Sequence, residues 1–324
     1  MMRLNQDWKY SKNKKVYVEK NILGNDYVNE ILKKLDKPEV IEINHYKNIF
    51  NRKNQNITYQ KNNQSIILAE NKDKIIYKGS RVCNDFGYEN FYYIVNVMNC
   101  PYNCEYCFLK GMYPSSHMLI FVNYEDIMKK LKSSLKVKSY LSISYECDLM
   151  AFEKIHGLNK KWINFAENNK HITIESRTKS VNFHLIEGCN PIKNFILSWS
   201  LSPQEVIDKY ESKTPGLKAR INCINSAVGK GWKVKIFVEP VLRIDNGVKI
   251  YKKFFLEIKE KINVENIDVN MDFFRINKDY LKSIKKVYKT SEIFSYPFVD
   301  NNGILEYRKA YKDSINREFI KLFR

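Results

Sequence analysis

Three cysteines fall within eight residues of the stretch NCPYNCEYCFLKG (99–111): Cys100, Cys104 and Cys107, spaced C-x3-C-x2-C. Thiolates in a short loop hold either zinc or an iron–sulfur cluster. Structural zinc takes four ligands and favours C-x2-C pairs in duplicate. No second pair exists here, so zinc would need a remote fourth ligand such as His117 or Cys83. A [4Fe–4S] cube has four iron corners, and three thiolates leave one of them open. An open iron can chelate a small molecule through an amine and a carboxylate, so the missing ligand favours the cluster. The other cysteines, Cys83, Cys147, Cys189 and Cys223, are scattered and do not make a disulfide framework.

The elements that must position this loop are legible from Tyr92 onward. YYIVNVM (92–98) predicts a strand that runs straight into the cysteines. NYEDIMKKLKSSL (123–135) predicts a helix capped by Asn123, YLSISYE (140–146) a strand, and NKKWINFAENN (159–169) a helix. HITIESR (171–177), NFILSWSL (194–201), KVKIFVEPVL (233–242) and NIDVNMDFF (266–274) predict four further strands, with helical stretches near 180–187, 216–230 and 248–262. Strands alternating with helices argue for βαβ units, and right-handed crossovers in series curl toward a partial barrel or a doubly wound sheet. In a barrel the chemistry gathers at the C-terminal ends of the strands, where the cysteine loop lies. Residues 1–85, with strand-like EVIEINHY and SIILAE but no clean helical period, read as an irregular N-terminal cap. Residues 86–275 read as the core and 276–324 as a basic, aromatic C-terminal appendage.

Composition narrows the function. The chain has 324 residues, 55 Lys and Arg against 36 Asp and Glu, and a formal charge of +19. Such a field draws polyanions, nucleic acid above all, although lysine spread along the whole chain is also what a lysine-rich proteome produces. No run approaches the roughly 18 apolar residues of a membrane span, and MMRLNQDWKYSKNKK lacks the apolar core of a secretory signal. A cytoplasmic protein without a membrane partner is expected.

The spacing C-x3-C-x2-C after a strand is the signature of radical S-adenosylmethionine enzymes. Within that group, NCPYNCEYCFLKG with MLIFVNYEDIMKKL (118–131), ESRTKS (175–180) and the block from Ser198 to Leu242, SWSLSPQEVIDKYESKTPGLKARINCINSAVGKGWKVKIFVEPVL, resembles the spore photoproduct lyase family over residues 57 to 311. The resemblance implies an α/β fold with a partial (β/α)6 barrel of the radical SAM type. It also implies a [4Fe–4S] cluster on Cys100, Cys104 and Cys107, S-adenosylmethionine as cosubstrate, and an electron donor such as flavodoxin or ferredoxin. The implied reaction is repair of the spore photoproduct, a thymine dimer in DNA, through a 5′-deoxyadenosyl radical. Tyr106 would pack on the adenosyl group, Lys179 would meet the cosubstrate carboxylate, and Ser200 its polar edge. DNAs would be met by Arg308, with Tyr307 and Tyr311 placed to stack on a splayed base.

Two departures stand out. Where the family has a cysteine that returns a hydrogen atom to the product radical, this chain has Tyr145, with Cys147 two residues on. Strand alternation would keep both on one face, so both are candidate donors. Phe108 stands where the family has a tyrosine that relays the hydrogen. The departures keep open a radical enzyme of the same fold acting on a peptide or small molecule, and, in another class, a non-catalytic nucleic-acid-binding protein with a structural metal.

Overall fold

The computed structural model describes residues 14–79, 87–264, 267–287 and 291–324. Cys83 lies outside the described residues. Contacts divide the chain into two compact units, residues 1–101 with 114–197, and residues 102–113 with 198–324.

In the first unit, Glu39–Ile43, Lys15–Glu19, Ile66–Ala69 and Met118–Phe121 lie side by side as parallel strands, and Val97–Met98 closes the edge antiparallel. The segments IILA and MLIF are buried throughout, as a central parallel strand covered on both faces must be. Helix Asp26–Lys34 buries Tyr27, Val28 and Ile31 on one face, and the Asn25 side chain caps it by accepting from the Tyr27 and Val28 N–H groups. The described part of residues 1–85 is therefore a regular α/β layer and not an irregular cap. Its strands span only four or five residues and its longest helix nine. Apolar periodicity over a longer window is diluted by the Asn- and Lys-rich turns between them.

A second run of strands in this unit begins with Ile76–Lys78, antiparallel to Phe91–Ile94, and continues in parallel through Ser139–Ser142 and Ile172–Thr178. Phe195–Ser200 follows, with the Ile174 N–H donating to the Asn194 carbonyl at 2.8 Å, and carries the chain into the second unit. The strand expected over 92–98 is broken at Asn96, so Phe91–Ile94 joins one sheet and Val97–Met98 the other. The strand expected over 140–146 ends at Ser142. Helix Tyr124–Ser134 starts after Asn123 as expected, but the Asn123 side chain pairs with the Asn71 backbone and does not cap the helix. The helix expected near 180–187 is a short 3-10 turn, Asn182–Leu185.

In the second unit the Leu201 N–H donates to the Phe237 carbonyl (2.8 Å), and Lys233–Val241 pairs in parallel with Asp268–Phe273. Helices Leu217–Gly229 and Gly247–Lys261 match the expected stretches. Arg275–Asn277, Ile304–Tyr307 and Phe298–Asn301 form an antiparallel sheet. The appendage expected over 276–324 is an integral layer of this unit. Helix Lys309–Phe323 sets Phe319 and Phe323 against Phe255 at 5.5 and 6.1 Å between ring centres, an apolar stripe that a basic composition conceals. No sheet among the described residues closes on itself, and no helix among them is long and apolar enough to cross a membrane.

Candidate active site

The cysteine loop opens at Asn99, whose φ of 67° is the left-handed region that asparagine tolerates better than most residues. Its amide donates to the Ser115 and His117 carbonyls, both at 2.8 Å, and so turns the chain out of the sheet. Cys100 comes next, its carbonyl accepting from the Lys61 ammonium and from the Gln64 amide (3.1 Å). Its thiol meets that of Cys147. Burial pushes the Cys147 thiol pKa well up. The S–H bond that Cys147 donates is what draws the Cys100 thiol below its ordinary range.

Beside this pair, Asp148 organises the end of strand Ile172–Thr178. Its carboxylate accepts from the Thr178 hydroxyl (2.7 Å), the Lys179 N–H (2.6 Å) and the Ala151 N–H (2.9 Å), while burial raises its pKa. Lys179 thus leaves the strand end under a fixed backbone. Tyr145 stacks on Tyr93 at 4.2 Å, and Tyr93 on Tyr77 at 5.1 Å. Since the strand ends at Ser142, Tyr145 and Cys147 sit in the following loop and strand alternation does not relate their faces. His117, a conceivable zinc ligand, already accepts the Ser65 N–H on its Nδ1 (3.1 Å), and burial depresses its pKa to about 4.

In the second unit, Asn103–Cys104 pairs antiparallel with Glu211–Ser212, and the Glu105 N–H donates to the Tyr210 carbonyl (2.8 Å). Cys104 and Tyr106 are buried, Cys107 partly so. The Tyr106 hydroxyl donates to the Glu211 carboxylate. Ser200, also buried, has its carbonyl bound by Arg220 Nη1 at 3.0 Å. Short helix Leu109–Met112 follows, and Gly111 lies so near helix Lys278–Val287 that a Cβ there would stand 2.4 Å from the Tyr280 carbonyl oxygen.

Arg308 is exposed, as a phosphate contact requires. Tyr307 is not available for base stacking. It is 1% exposed, stacked on Phe298 at 5.5 Å, and its oxygen accepts the Arg243 N–H. Tyr311 is half-buried, its hydroxyl donating to the Leu242 carbonyl (2.8 Å). Sequence reasoning missed Asp148, Glu211 and Arg220 as organisers. Asp148 directly follows Cys147, and Glu211 and Arg220 lie among Lys, Ser and Asn, so that nothing in the sequence sets them apart from surface charges.

None of the six cysteines among the described residues is in a disulfide. No three His, Cys, Asp or Glu side chains among those residues stand ready as a metal cage. Three cysteines within eight residues, none of them in a disulfide, are nonetheless the donor chemistry that an iron–sulfur cluster takes. A mixed α/β chain with such a loop behind a strand belongs to the class of candidate iron–sulfur enzymes.

The sequence model of the family described as spore photoproduct lyase matches residues 12–302, and the chain belongs to this family. A spore photoproduct lyase from Geobacillus sp. (strain Y412MC61) is 23% identical over 203 residues, which is 60% of this chain and 59% of that protein's length. Among solved structures, spore photoproduct lyase complexed with dinucleoside spore photoproduct superposes with a TM-score of 0.80 at 16% identity, over 97% of each chain. A double variant with bound AdoMet and the same dinucleoside gives 0.79 at 16%, over 96% of each. These likenesses establish the fold.

Proposed function

We propose that this chain is a DNA-repair lyase that reverses the spore photoproduct with S-adenosylmethionine and a [4Fe–4S] cluster on Cys100, Cys104 and Cys107. The observation that carries the reading is the match of the family over residues 12–302 with the C-x3-C-x2-C loop inside it. Six strands in chain order, 91–94, 139–142, 172–178, 195–200, 233–241 and 268–273, with helical segments between them, support a partial (β/α)6 barrel of the radical SAM type, the cysteine loop lying downstream of the first.

With both groups bound, they supply a one-electron cleavage of the sulfonium and a radical that takes hydrogen from C6 of the dimer. The protein's own residues bind, orient and exclude water. Lys179, held by Asp148, neutralises the cosubstrate carboxylate. Ser200 offers it a polar edge, and Tyr106 packs on the adenosyl group. Cys147, buried beside Cys100, returns a hydrogen atom to the product radical, with Tyr145 as the alternative donor. Arg308 meets phosphate, and Tyr311 offers a ring edge beside it. A small electron carrier such as flavodoxin or ferredoxin supplies the electron in the cytoplasm.

A second reading, the same chemistry on another substrate, is favoured by Tyr145 and Phe108 at the two positions where the family has other residues. The test is anaerobic reconstitution with iron and sulfide, then reductant, S-adenosylmethionine and ultraviolet-irradiated spore-type DNA, with 5′-deoxyadenosine and thymine dimer followed by chromatography. Dimer loss with thymine recovered is expected. Deoxyadenosine formed while the dimer survives would replace the first reading by the second.

A further inference from the structure

Glu211 and Arg220 form an ion pair whose side chains are both 0% exposed. Taking two charges fully out of water is costly, and the cost is met only where the remaining lone pairs and protons find partners. Here they do. Arg220 Nε donates to the Pro215 carbonyl (2.9 Å), Nη1 to the Ser200 carbonyl (3.0 Å), and Nη2 to both Glu211 and the Thr214 hydroxyl (2.8 Å). Glu211 accepts from the Ser202 hydroxyl (3.0 Å), from Tyr106 and from Arg220.

What the pair holds is more telling than its burial. The Glu211 backbone stands opposite Cys104 in the antiparallel ladder, and its carboxylate takes the hydroxyl two residues further along the same loop. Arg220 grips the strand end at Ser200. A packing role alone would be served as well or better by apolar residues of similar volume. A planar guanidinium and a carboxylate instead give fixed directions to several partners at once.

We infer that the Glu211–Arg220 pair is a positioning clamp, setting Cys104 and Tyr106 against the strand end at Ser200 before any cofactor arrives. For what the clamp serves, cluster and cosubstrate, the inference rests on the function proposed above. For what it holds, it can be tested in the cluster-free protein. Sites whose supporting shell is fixed in advance lose less on binding.

The experiment labels the reduced, metal-free, full-length protein with iodoacetamide and reads each cysteine by mass spectrometry. Cys223 shares helix Leu217–Gly229 with Arg220 and reports any general loosening of that unit. Tyr106→Phe, which removes one hydroxyl, is expected to speed Cys104 labelling several-fold with Cys223 unchanged, and Glu211→Gln to do so more strongly. After reconstitution both variants should raise the KM for S-adenosylmethionine several-fold, with a smaller change in kcat. They should also change the electron paramagnetic resonance shift that S-adenosylmethionine causes in the reduced cluster. Unchanged Cys104 labelling in Tyr106→Phe, or a rise matched by Cys223 in both variants, would overturn the clamp. Wild-type protein that makes no deoxyadenosine would overturn the proposed function, while the labelling still decides the clamp.

Discussion

At the scale of single residues, the decisive feature is that Cys147 is buried beside Cys100, with its thiol pKa pushed up by that burial. A thiol kept from ionising is a hydrogen-atom source and a poor nucleophile. Cys147→Ala should therefore leave deoxyadenosine formation near its wild-type rate, while recovered thymine falls by at least about tenfold and adducts of the unquenched product appear. The size follows from removing one group that acts in a single step. Chromatography of both products from one reaction checks it. Equal thymine recovery in Cys147→Ala would move the donor role to Tyr145, and Tyr145→Phe would then show the loss.

At the scale of elements, the cysteine loop is braced on its far side by the packing of helix Leu109–Met112 on helix Lys278–Val287. Gly111 is what permits the approach, because any Cβ would push into the Tyr280 backbone, which cannot swing aside as a side chain tip can. Gly111→Ala should destabilise the metal-free protein by about 1–3 kcal/mol, the range for overpacking a close contact. Urea unfolding measures it through the midpoint at constant slope. A midpoint equal to wild type would mean that the two helices part without cost.

At the scale of the whole molecule, buried titrating groups and net charge both make predictions. Burial lowers His117 to about 4 and His156 to about 3, while it raises Glu153 to about 7. The histidines bind fewer protons folded than unfolded, so their contribution is complete above pH 6.5 and is lost as pH falls toward 4 and 3. Glu153 binds more protons folded, so its contribution is present below pH 4.5 and is lost as pH rises to about 7. Between 4.5 and 6.5 one histidine is offset, and these three groups leave stability rising by about 1.4 kcal/mol per pH unit. Glu153→Gln removes the offset and should steepen that slope to about 2.7 kcal/mol per unit. Denaturation midpoints across this window check it, and an unchanged slope would refute the assignment. The excess of 19 positive charges predicts DNA affinity that falls steeply with salt. Arg308→Ala should lower the slope of log K against log salt by about one if Arg308 neutralises a phosphate.

What the sequence determined by itself is the family's cysteine motif and its place along the chain. The cysteine spacing needs no folding to be read, because the three candidate ligands lie in one short loop. The strands at 171–177, 194–201 and 233–242 were legible for a similar reason, since apolar β-branched runs between polar turns carry their own signal. Only the tertiary structure decided that residues 14–79 form a parallel layer, that Tyr307 faces inward, and that strand 139–142 ends before Tyr145. It alone brought Glu211 to Cys104 and Arg220 to Ser200. Those outcomes depend on partners that are remote along the chain, and the buried ion pair in particular looks in sequence like two ordinary surface charges.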